Sequence, residues 1–308
     1  MAYFETVVVL GIASIILAVS LDLLIGVAGL FSAAVGVFYG VGAYVASLIW
    51  LHWTSDLVVA LIAAFIAGGL LAIPFVVPAL RSKKDVTFVV ASLAFASIVG
   101  EVFASWNSVT GGYTGLYGFP IATVFNIQIS PGLPLVIASV ILVVIVIAGK
   151  ELLARSAWGL DLRATRDDER AASSLGVRGS WLRIQVAVVA SGMAALAGVL
   201  YAAQVGYVDP SSFTLGESEL IAAMVVLGGL GSFYGPVVGA ILLTAIPAGL
   251  TFVTIDPAYL GLIEQTAFGL IIVIIIVVRP EGIMGGLGRV RARLRPLEIS
   301  RRRGGDSV

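Results

Sequence analysis

The hydrophobic pattern of this chain consists of long apolar stretches separated by short polar breaks. Most of these stretches approach the roughly 20 apolar residues that a helix needs to cross a bilayer. The pattern therefore predicts an all-α fold, a polytopic integral membrane helix bundle with about nine transmembrane helices and a range of roughly eight to ten. The predicted spans cover residues 6–25, 30–50, 57–78, 86–104, 132–149, 184–205, 217–230, 237–253 and 262–278.

The composition supports a membrane protein and excludes several other classes. Hydrophobic residues make up 59% of the 308 residues, charged residues only 12%, and the mean hydropathy is +1.09. A soluble domain is typically about a quarter charged, so an ordinary soluble enzyme, a disordered chain and a nucleic-acid-binding domain are excluded. With no cysteine and one histidine, the sequence predicts no metal site and no cofactor. It also lacks the nucleophile–base set of a membrane-embedded enzyme, so we expect no catalytic residues.

The basic residues are confined to three clusters, and residues 184–278 contain none. Short segments rich in lysine and arginine stay in the cytoplasm, so all three clusters are predicted to be cytoplasmic. An even number of spans must then separate successive clusters, which gives nine spans, a cytoplasmic C-terminus and an external N-terminus. The clusters are Arg81, Lys83 and Lys84; Lys150, Arg155, Arg163, Arg166, Arg170, Arg178 and Arg183; and Arg279, Arg289, Arg291, Arg293, Arg295, Arg301, Arg302 and Arg303.

The charge pattern also predicts the domain organisation. Residues 1–285 are predicted to form a single transmembrane domain, interrupted by a cytoplasmic loop at 150–183. A basic cytoplasmic tail at 286–308 follows, and its arginines suit anionic lipid headgroups.

The 150–183 loop is the only long polar segment inside the predicted bundle. Thr165-Arg166-Asp167-Asp168 reads as a capping box that opens a short helix. Gly176 lies where a helix C-terminus favours a left-handed residue. This helix suits docking into a groove of a partner protein, or it is a solvated connection, and the residues alone leave both interpretations open.

Two further features have a structural and a functional interpretation. The Gly-rich break at 228–236 is either a tight turn between helices or a hinge or cavity lining. Asp22 and Glu101 are the acidic residues closest to the membrane interior. Intramembrane acids are functional candidates, but both lie near predicted span ends, so we expect interfacial or ion-pairing roles.

Five stretches, in order along the chain, resemble motifs of branched-chain amino acid ABC transporter permeases of the LivM type. Residues 159–177, GLDLRATRDDERAASSLGV, are similar to the segment that couples these permeases to their ATPases, with a departure at Asp161-Leu162. The other four stretches are residues 29–44, residues 85–99 with the core SLAF, residues 110–120 with TGGYTGLYGFP, and residues 224–239 with MVVLGGLGSFYGPVVG.

The resemblance implies a permease subunit of an ABC importer in a prokaryotic inner membrane. The implied substrates are branched-chain amino acids or a related small polar solute, such as urea, amides or aromatic acids. The implied partners are a second permease subunit, as a heterodimer, two cytoplasmic ATPase subunits and an external substrate-binding protein. Consistent with hydrolysis by partner ATPases, the sequence has no G-x-x-x-x-G-K-[ST] phosphate loop. The alternative is an ion-coupled secondary transporter of a small solute.

The resemblance also implies functional residues at the matching positions. Residues of the coupling segment would face the ATPase, and glycines of the other motifs would line the pathway or act as hinges. The ATPase-coupling candidates are Asp168, Glu169, Ala171, Ala172, Leu175 and Gly176. The pathway or hinge candidates are Gly36, Gly40, Gly111, Gly112, Gly228, Gly229, Gly231, Gly235 and Pro236.

Overall fold

A computed structural model describes residues 2–80, 85–124, 127–250, 266, 269 and 270. Among the described residues, seven helices are long and apolar enough to cross a membrane, and a shorter apolar helix follows at Gly235–Ala245. This confirms the predicted all-α, polytopic membrane bundle. The predicted ninth span at 262–278 and the basic tail at 286–308 lie outside the described residues, apart from isolated positions in the former.

Eleven α-helices are described, in two compact units, Met1–Ala222 and Ala223–Val308. A five-residue π-helix, Leu23–Val27, continues the first α-helix. The α-helices are α1 (Ala2–Asp22), α2 (Val35–His52), α3 (Leu57–Leu80), α4 (Asp85–Ser105), α5 (Asn107–Thr110), α6 (Leu133–Arg155), α7 (Ala157–Asp167), α8 (Glu169–Ser174), α9 (Gly179–Val205), α10 (Leu215–Gly228) and α11 (Gly235–Leu250).

Two short β-ribbons interrupt the helices, which the hydrophobic pattern did not predict. β1 (Leu116–Tyr117) pairs antiparallel with β4 (Tyr207–Val208), and β2 (Thr123–Val124) pairs antiparallel with β3 (Ile127–Gln128). Two-residue strands are too short to show an alternating pattern in the sequence. The β1–β4 pair joins the segment after α5 to the segment after α9.

Helix α9 is the packing centre of the first unit, where it runs along α1, α2 and α3. Small residues make these contacts close, as expected where lipid supplies little hydrophobic drive for helix association. One face of α9 carries a small residue at every fourth position, and this face is buried. It consists of Ala190, Ala194, Gly198 and Ala202. A Cβ at Gly198 would lie 2.1 Å from the Tyr39 carbonyl oxygen, so α2 and α9 touch backbone to backbone.

The first unit has two distinct ends. At the ribbon end, which holds both β-ribbons, the Gln204 amide of α9 donates to the Thr6 hydroxyl of α1 at 2.8 Å. At the opposite end, α6 leads through Ser156 into α7 and α8. Helices α1 and α9 therefore run antiparallel, and α1 starts at the ribbon end.

The second predicted span begins later than the sequence indicated. Residues 28–34 form no regular helix, and α2 starts at Val35 rather than at residue 30. The irregular residues are mostly apolar and buried, so hydropathy does not distinguish them from the helix that follows.

Replacing Gly42 by leucine is expected to destabilise the bundle. A Cβ at Gly42 would lie 1.8 Å from the Ala195 carbonyl oxygen, so α2 and α9 must separate. Overpacking of this kind costs about 1–3 kcal/mol or more. Thermal unfolding of the purified protein in detergent measures the effect.

The control for this substitution is Gly100→Ala. A Cβ at Gly100 on α4 meets no heavy atom within 4 Å, so the substitution keeps the packing and is expected to be neutral or slightly stabilising. Equal unfolding temperatures for Gly42→Leu and Gly100→Ala would contradict the close α2–α9 contact.

Candidate functional site

Two short helices form most of the polar connection between α6 and α9. The Ser156 hydroxyl accepts a hydrogen bond from the Gly159 amide at 3.4 Å and starts α7. The Trp158 indole of α7 donates to the Gln185 side-chain oxygen of α9 at 2.9 Å. Because α6 continues to Arg155 and α9 begins at Gly179, the connection is shorter than the predicted loop at 150–183.

Asp168, rather than Thr165, begins the second of these helices. The Asp168 carboxylate accepts hydrogen bonds from the amides of Arg170 and Ala171 at 2.9 and 3.0 Å, as an N-cap does. Thr165 lies inside α7, where its hydroxyl donates to the Asp161 carbonyl at 2.8 Å. The predicted capping box at 165–168 was therefore wrong by three positions, and two helices replace the single predicted one.

Helix α8 ends in a left-handed glycine, as the sequence predicted. Gly176 has a φ of +87°, and the Val177 amide donates to the Ala172 carbonyl at 3.1 Å. This 6→1 bond, with the left-handed glycine directly before the donor residue, is a Schellman motif. The motif turns the chain sharply and leaves Leu175 at the tip, with 85% of its surface exposed.

The six ATPase-coupling candidates lie together at α8 but in different environments. Ala171, Leu175 and Gly176 are exposed, whereas Ala172 is buried within this chain. Asp168 caps α8, and the Glu169 carboxylate lies 3.2 Å from the Arg183 guanidinium of α9. The exposed tip is thus formed by part of the set, and the two acids hold α8 in place.

Asp22 forms a buried ion pair. Its carboxylate lies 2.7 Å from the Lys150 ammonium of α6, and the two side chains are 0% and 4% exposed. The predicted ion-pairing role for Asp22 therefore has its partner in Lys150, a residue that the charge pattern assigned only to a cytoplasmic cluster. Glu101 accepts a hydrogen bond from the Ser105 hydroxyl at 3.1 Å on an exposed surface.

Serine hydroxyls from three parts of the chain cap the amides at the start of α2. The Ala33 amide donates to Ser92 of α4 at 3.0 Å, and the Gly36 amide donates to Ser218 of α10 at 2.9 Å. Ser32 accepts from the Ala34 amide at 3.2 Å. All three serines are buried, so protein groups satisfy a helix start inside the bundle.

Five aromatic rings pack around Gly40, four helical positions after Gly36. The Phe213 ring lies at the centre, with ring centroids 5.1–6.1 Å from three of the other four. A Cβ at Gly40 would lie 2.8 Å from Phe103 and 2.9 Å from Phe213, so this glycine gives the rings room. The cluster consists of Tyr39, Tyr44, Phe103, Tyr201 and Phe213.

Gly111 and Gly112 shape the segment that carries the ribbons. Both have left-handed φ angles, +74° and +58°, and a Cβ at Gly111 would lie 2.2 Å from the Gly115 carbonyl oxygen. Gly115 in turn lies directly against the Val208 carbonyl. These two candidates therefore build a tight turn at the ribbon end, away from α7 and α8.

The remaining five candidates lie in or beside a tight turn that connects α10 to α11. The Ser232 hydroxyl donates to the Gly229 carbonyl and accepts from the Gly235 amide, both at 2.9 Å. A Cβ at Gly228 would lie 1.9 Å from the Gly235 carbonyl oxygen. This geometry favours the tight-turn interpretation. Gly229 and Gly231 have left-handed φ angles, and Pro236 is the second residue of α11.

Sequence reasoning missed the polar residues that connect distant helices. Ser92, Lys150 and Ser218 each meet a partner far away in the sequence, and no local motif signals such pairs. Within the described part of the chain, no three acidic or histidine side chains are grouped as metal ligands. The described residues form close helix contacts, a capped start of α2 inside the bundle and an exposed tip at Leu175.

Comparisons with known proteins identify the family and several relatives of the chain. The family described as "Branched-chain amino acid transport system / permease component" matches residues 3–278. The high-affinity branched-chain amino acid transport system permease protein LivM of Escherichia coli (strain K12) is 32% identical over 257 residues, which cover 74% of this chain and 59% of LivM. The chain thus spans about three fifths of the length of this curated relative.

Two further relatives extend the comparison. LivM of Salmonella typhimurium is 31% identical over the same shares of both chains. The autoinducer 2 import system permease protein LsrC of Salmonella paratyphi B is 40% identical over 113 residues, which cover 35% of this chain and 32% of LsrC. No solved structure matches the chain significantly.

Proposed function

Because the chain belongs to the family of branched-chain amino acid transport system permease components, we propose that it is the membrane-spanning subunit of an ABC importer. The observation that carries the proposal is the pair of short helices α7 and α8, residues 157–174, at one end of the bundle. We call this pair the α7–α8 platform. Its tip exposes Leu175, directly before the left-handed Gly176, which suits insertion into a groove of a partner.

The proposed partners follow from this platform and from the opposite end of the bundle. Two ATPase subunits bind the α8 tips of this chain and of a second permease subunit, in a heterodimer. An external substrate-binding protein delivers the solute at the ribbon end. This chain supplies no ATPase site of its own, and hydrolysis takes place on the partners.

The basic clusters set the proposed orientation in a prokaryotic cell membrane. Arg163, Arg166, Arg170 and Arg178 lie at the α7–α8 end, and short basic segments stay in the cytoplasm. The ribbon end and the start of α1 then face outward. The Arg-rich tail is cytoplasmic in this orientation and meets lipid headgroups.

The proposed substrates are the branched-chain amino acids, with urea, amides and aromatic acids as related small polar solutes. The relatives of Escherichia coli and Salmonella typhimurium carry branched-chain amino acid transport in their names. We propose the Gly36–Gly40 region, where serines cap a helix start beside an aromatic cluster, as part of the pathway.

Reconstitution of the intact complex tests the proposal. The chain is captured by a tag from gently solubilised native membranes, and the co-purifying proteins are identified. The complex is placed in liposomes with the binding protein encoded beside it, and uptake of radiolabelled leucine, isoleucine and valine is measured. We expect two ATPases and a second permease to co-purify, and uptake to require ATP on the side of the ATPases.

The same assay separates the importer from the alternative. A secondary transporter would take up solute under a proton or sodium gradient without ATP. If the chain is isolated alone and transports under an ion gradient, the importer proposal fails. Vesicles with neither ATP nor an ion gradient measure background uptake and are the control for both the ATP-driven and the gradient-driven measurements.

A further inference from the structure

Arg166 joins the α7–α8 platform to the end of the first helix of the bundle. One Nη of Arg166, in the last turn of α7, donates a hydrogen bond to the Gly26 carbonyl of the π-helix Leu23–Val27. Carbonyls at a helix C-terminus lack partners within the helix and carry partial negative charge, so a guanidinium there is favourable. The contact fixes α7 against the end of α1.

The stem of Arg166 also packs against Gly29, so the contact is more than one hydrogen bond. Gly29 has a φ of +74°, and a Cβ there would lie 2.8 Å from Cγ and 3.2 Å from Cδ of Arg166. The Gly29 and Leu30 amides donate back to the Ile25 and Leu24 carbonyls at 3.1 and 3.0 Å. The chain after the π-helix is thus closed on itself and covered by Arg166.

The other end of this segment is held by the same helical arm. Asp22, directly before the π-helix, pairs with Lys150 of α6. Since α6 passes through Ser156 into α7, Lys150 and Arg166 belong to one continuous piece of chain. Two basic residues of this piece therefore hold residues 22–29 at both ends.

The held segment leads directly to the start of α2 inside the bundle. From Gly29 only a few irregular residues remain before the amides of Ala33 and Gly36, which bond to Ser92 and Ser218. A connection this short limits how far its two ends can move apart, because each residue spans at most about 3.6 Å. We therefore expect a shift of residues 22–29 to move the α2 start relative to α4 and α10.

We propose that Arg166 is a positioning residue that transmits movement of the α7–α8 platform to the start of α2 through residues 22–34. The inference rests on the proposed importer function, since partner ATPases supply the movement. In this mechanism, nucleotide binding displaces α8 and α7, Arg166 carries the π-helix along, and the serine caps on the α2 amides rearrange.

Hydrogen exchange of the full complex with its ATPases tests the relay, with the non-hydrolysable nucleotide AMP-PNP as the probe. In the unmodified complex, AMP-PNP is expected to change the exchange rate of a peptide over α8 and of a peptide over residues 30–40. With Arg166→Gln, the α8 response is expected to remain and the response at 30–40 to fall by about fivefold or more, a usual scale for coupling between sites.

The matched control is Arg163→Gln, which removes the same charge from an exposed position of α7 and is expected to leave both responses intact. A merely structural role of Arg166 would raise exchange without AMP-PNP and leave the nucleotide response unchanged. Should Arg166→Gln fail to assemble, Arg166→Lys replaces it, and its shorter side chain is expected to weaken the response at 30–40.

The outcomes separate the inference from the function on which it rests. Equal responses at 30–40 in the Arg166 and Arg163 variants overturn the relay, as does an unmodified complex that responds at α8 but not at 30–40. If no ATPase co-purifies with the unmodified chain, or AMP-PNP changes no peptide, both the importer function and the relay it drives are rejected.

Discussion

Replacing Lys150 by methionine is expected to destabilise the protein by about 3–5 kcal/mol, because it removes the cation beside a buried carboxylate. The Asp22 and Lys150 side chains are 0% and 4% exposed, and their charged atoms lie 2.7 Å apart. Methionine has a similar length and keeps the packing of the stem. Thermal unfolding in detergent, with the amount of folded protein recovered from membranes, measures the loss.

The double substitution Asp22→Asn with Lys150→Met tests whether the loss comes from the unpaired charge. Removing both charges eliminates the buried carboxylate as well as its partner, and such replacements are often close to neutral. We therefore expect the double variant to regain most of the stability lost in Lys150→Met. A double variant as unstable as the single one would contradict this explanation and indicate lost packing.

An exposed ion pair on the same helix provides the control. Arg155, five residues beyond Lys150 on α6, pairs with Glu151, and its side chain is 74% exposed. Surface pairs contribute about 0–1 kcal/mol, so Arg155→Met should change the unfolding temperature little. Equal losses for Lys150→Met and Arg155→Met would mean that burial does not set the strength of the Asp22–Lys150 pair.

The sequence predicted the spans well because each is a local property. The first predicted span at 6–25 corresponds to the apolar helix Tyr3–Val27, and the predicted span at 217–230 corresponds to α10. A stretch of apolar residues must be helical in lipid, since its backbone polar groups need internal partners. Hydropathy therefore suffices to place most helices within a few residues.

Local patterns failed where the structure depends on distant partners. Residues 30–34 look like the start of a span, but Ser92 and Ser218 from other helices cap the amides at the true start of α2. Lys150 looks like one of seven surface charges, but it reaches Asp22 in the interior. These contacts exist only after the helices have packed, so composition and spacing contain no trace of them.

The coupling segment contains one prediction that succeeded and one that failed. Gly176 was predicted as a left-handed C-cap and has a φ of +87°, because the requirement for glycine there is local. The N-cap was misplaced, since Thr165 and Asp168 both suit that role by type. In the folded chain Thr165 lies inside α7, where it packs against Gly179 of α9, and Asp168 caps α8.

Replacing Gly176 by leucine is expected to uncouple ATP hydrolysis from uptake in the proposed importer. A leucine at a φ of +87° costs about 1–2 kcal/mol, so the turn after α8 relaxes to another conformation and Leu175 leaves its position at the tip. The measurement is solute taken up per ATP hydrolysed in liposomes. We expect this ratio to fall about tenfold or more, because hydrolysis on the partners would continue without driving uptake.

Gly206→Leu is the matched control for this substitution, because it imposes the same backbone strain at the other end of the bundle. Gly206 caps α9 with a φ of +71°, and a Cβ meets no heavy atom within 4 Å at either glycine. Similar stability losses are therefore expected for both variants, whereas only Gly176→Leu should lower the uptake ratio. Unchanged uptake per ATP in Gly176→Leu, at normal expression, would count against α8 as the ATPase contact. A drop of the same size in Gly206→Leu would show that strain alone, and not the position of the α8 tip, impairs transport.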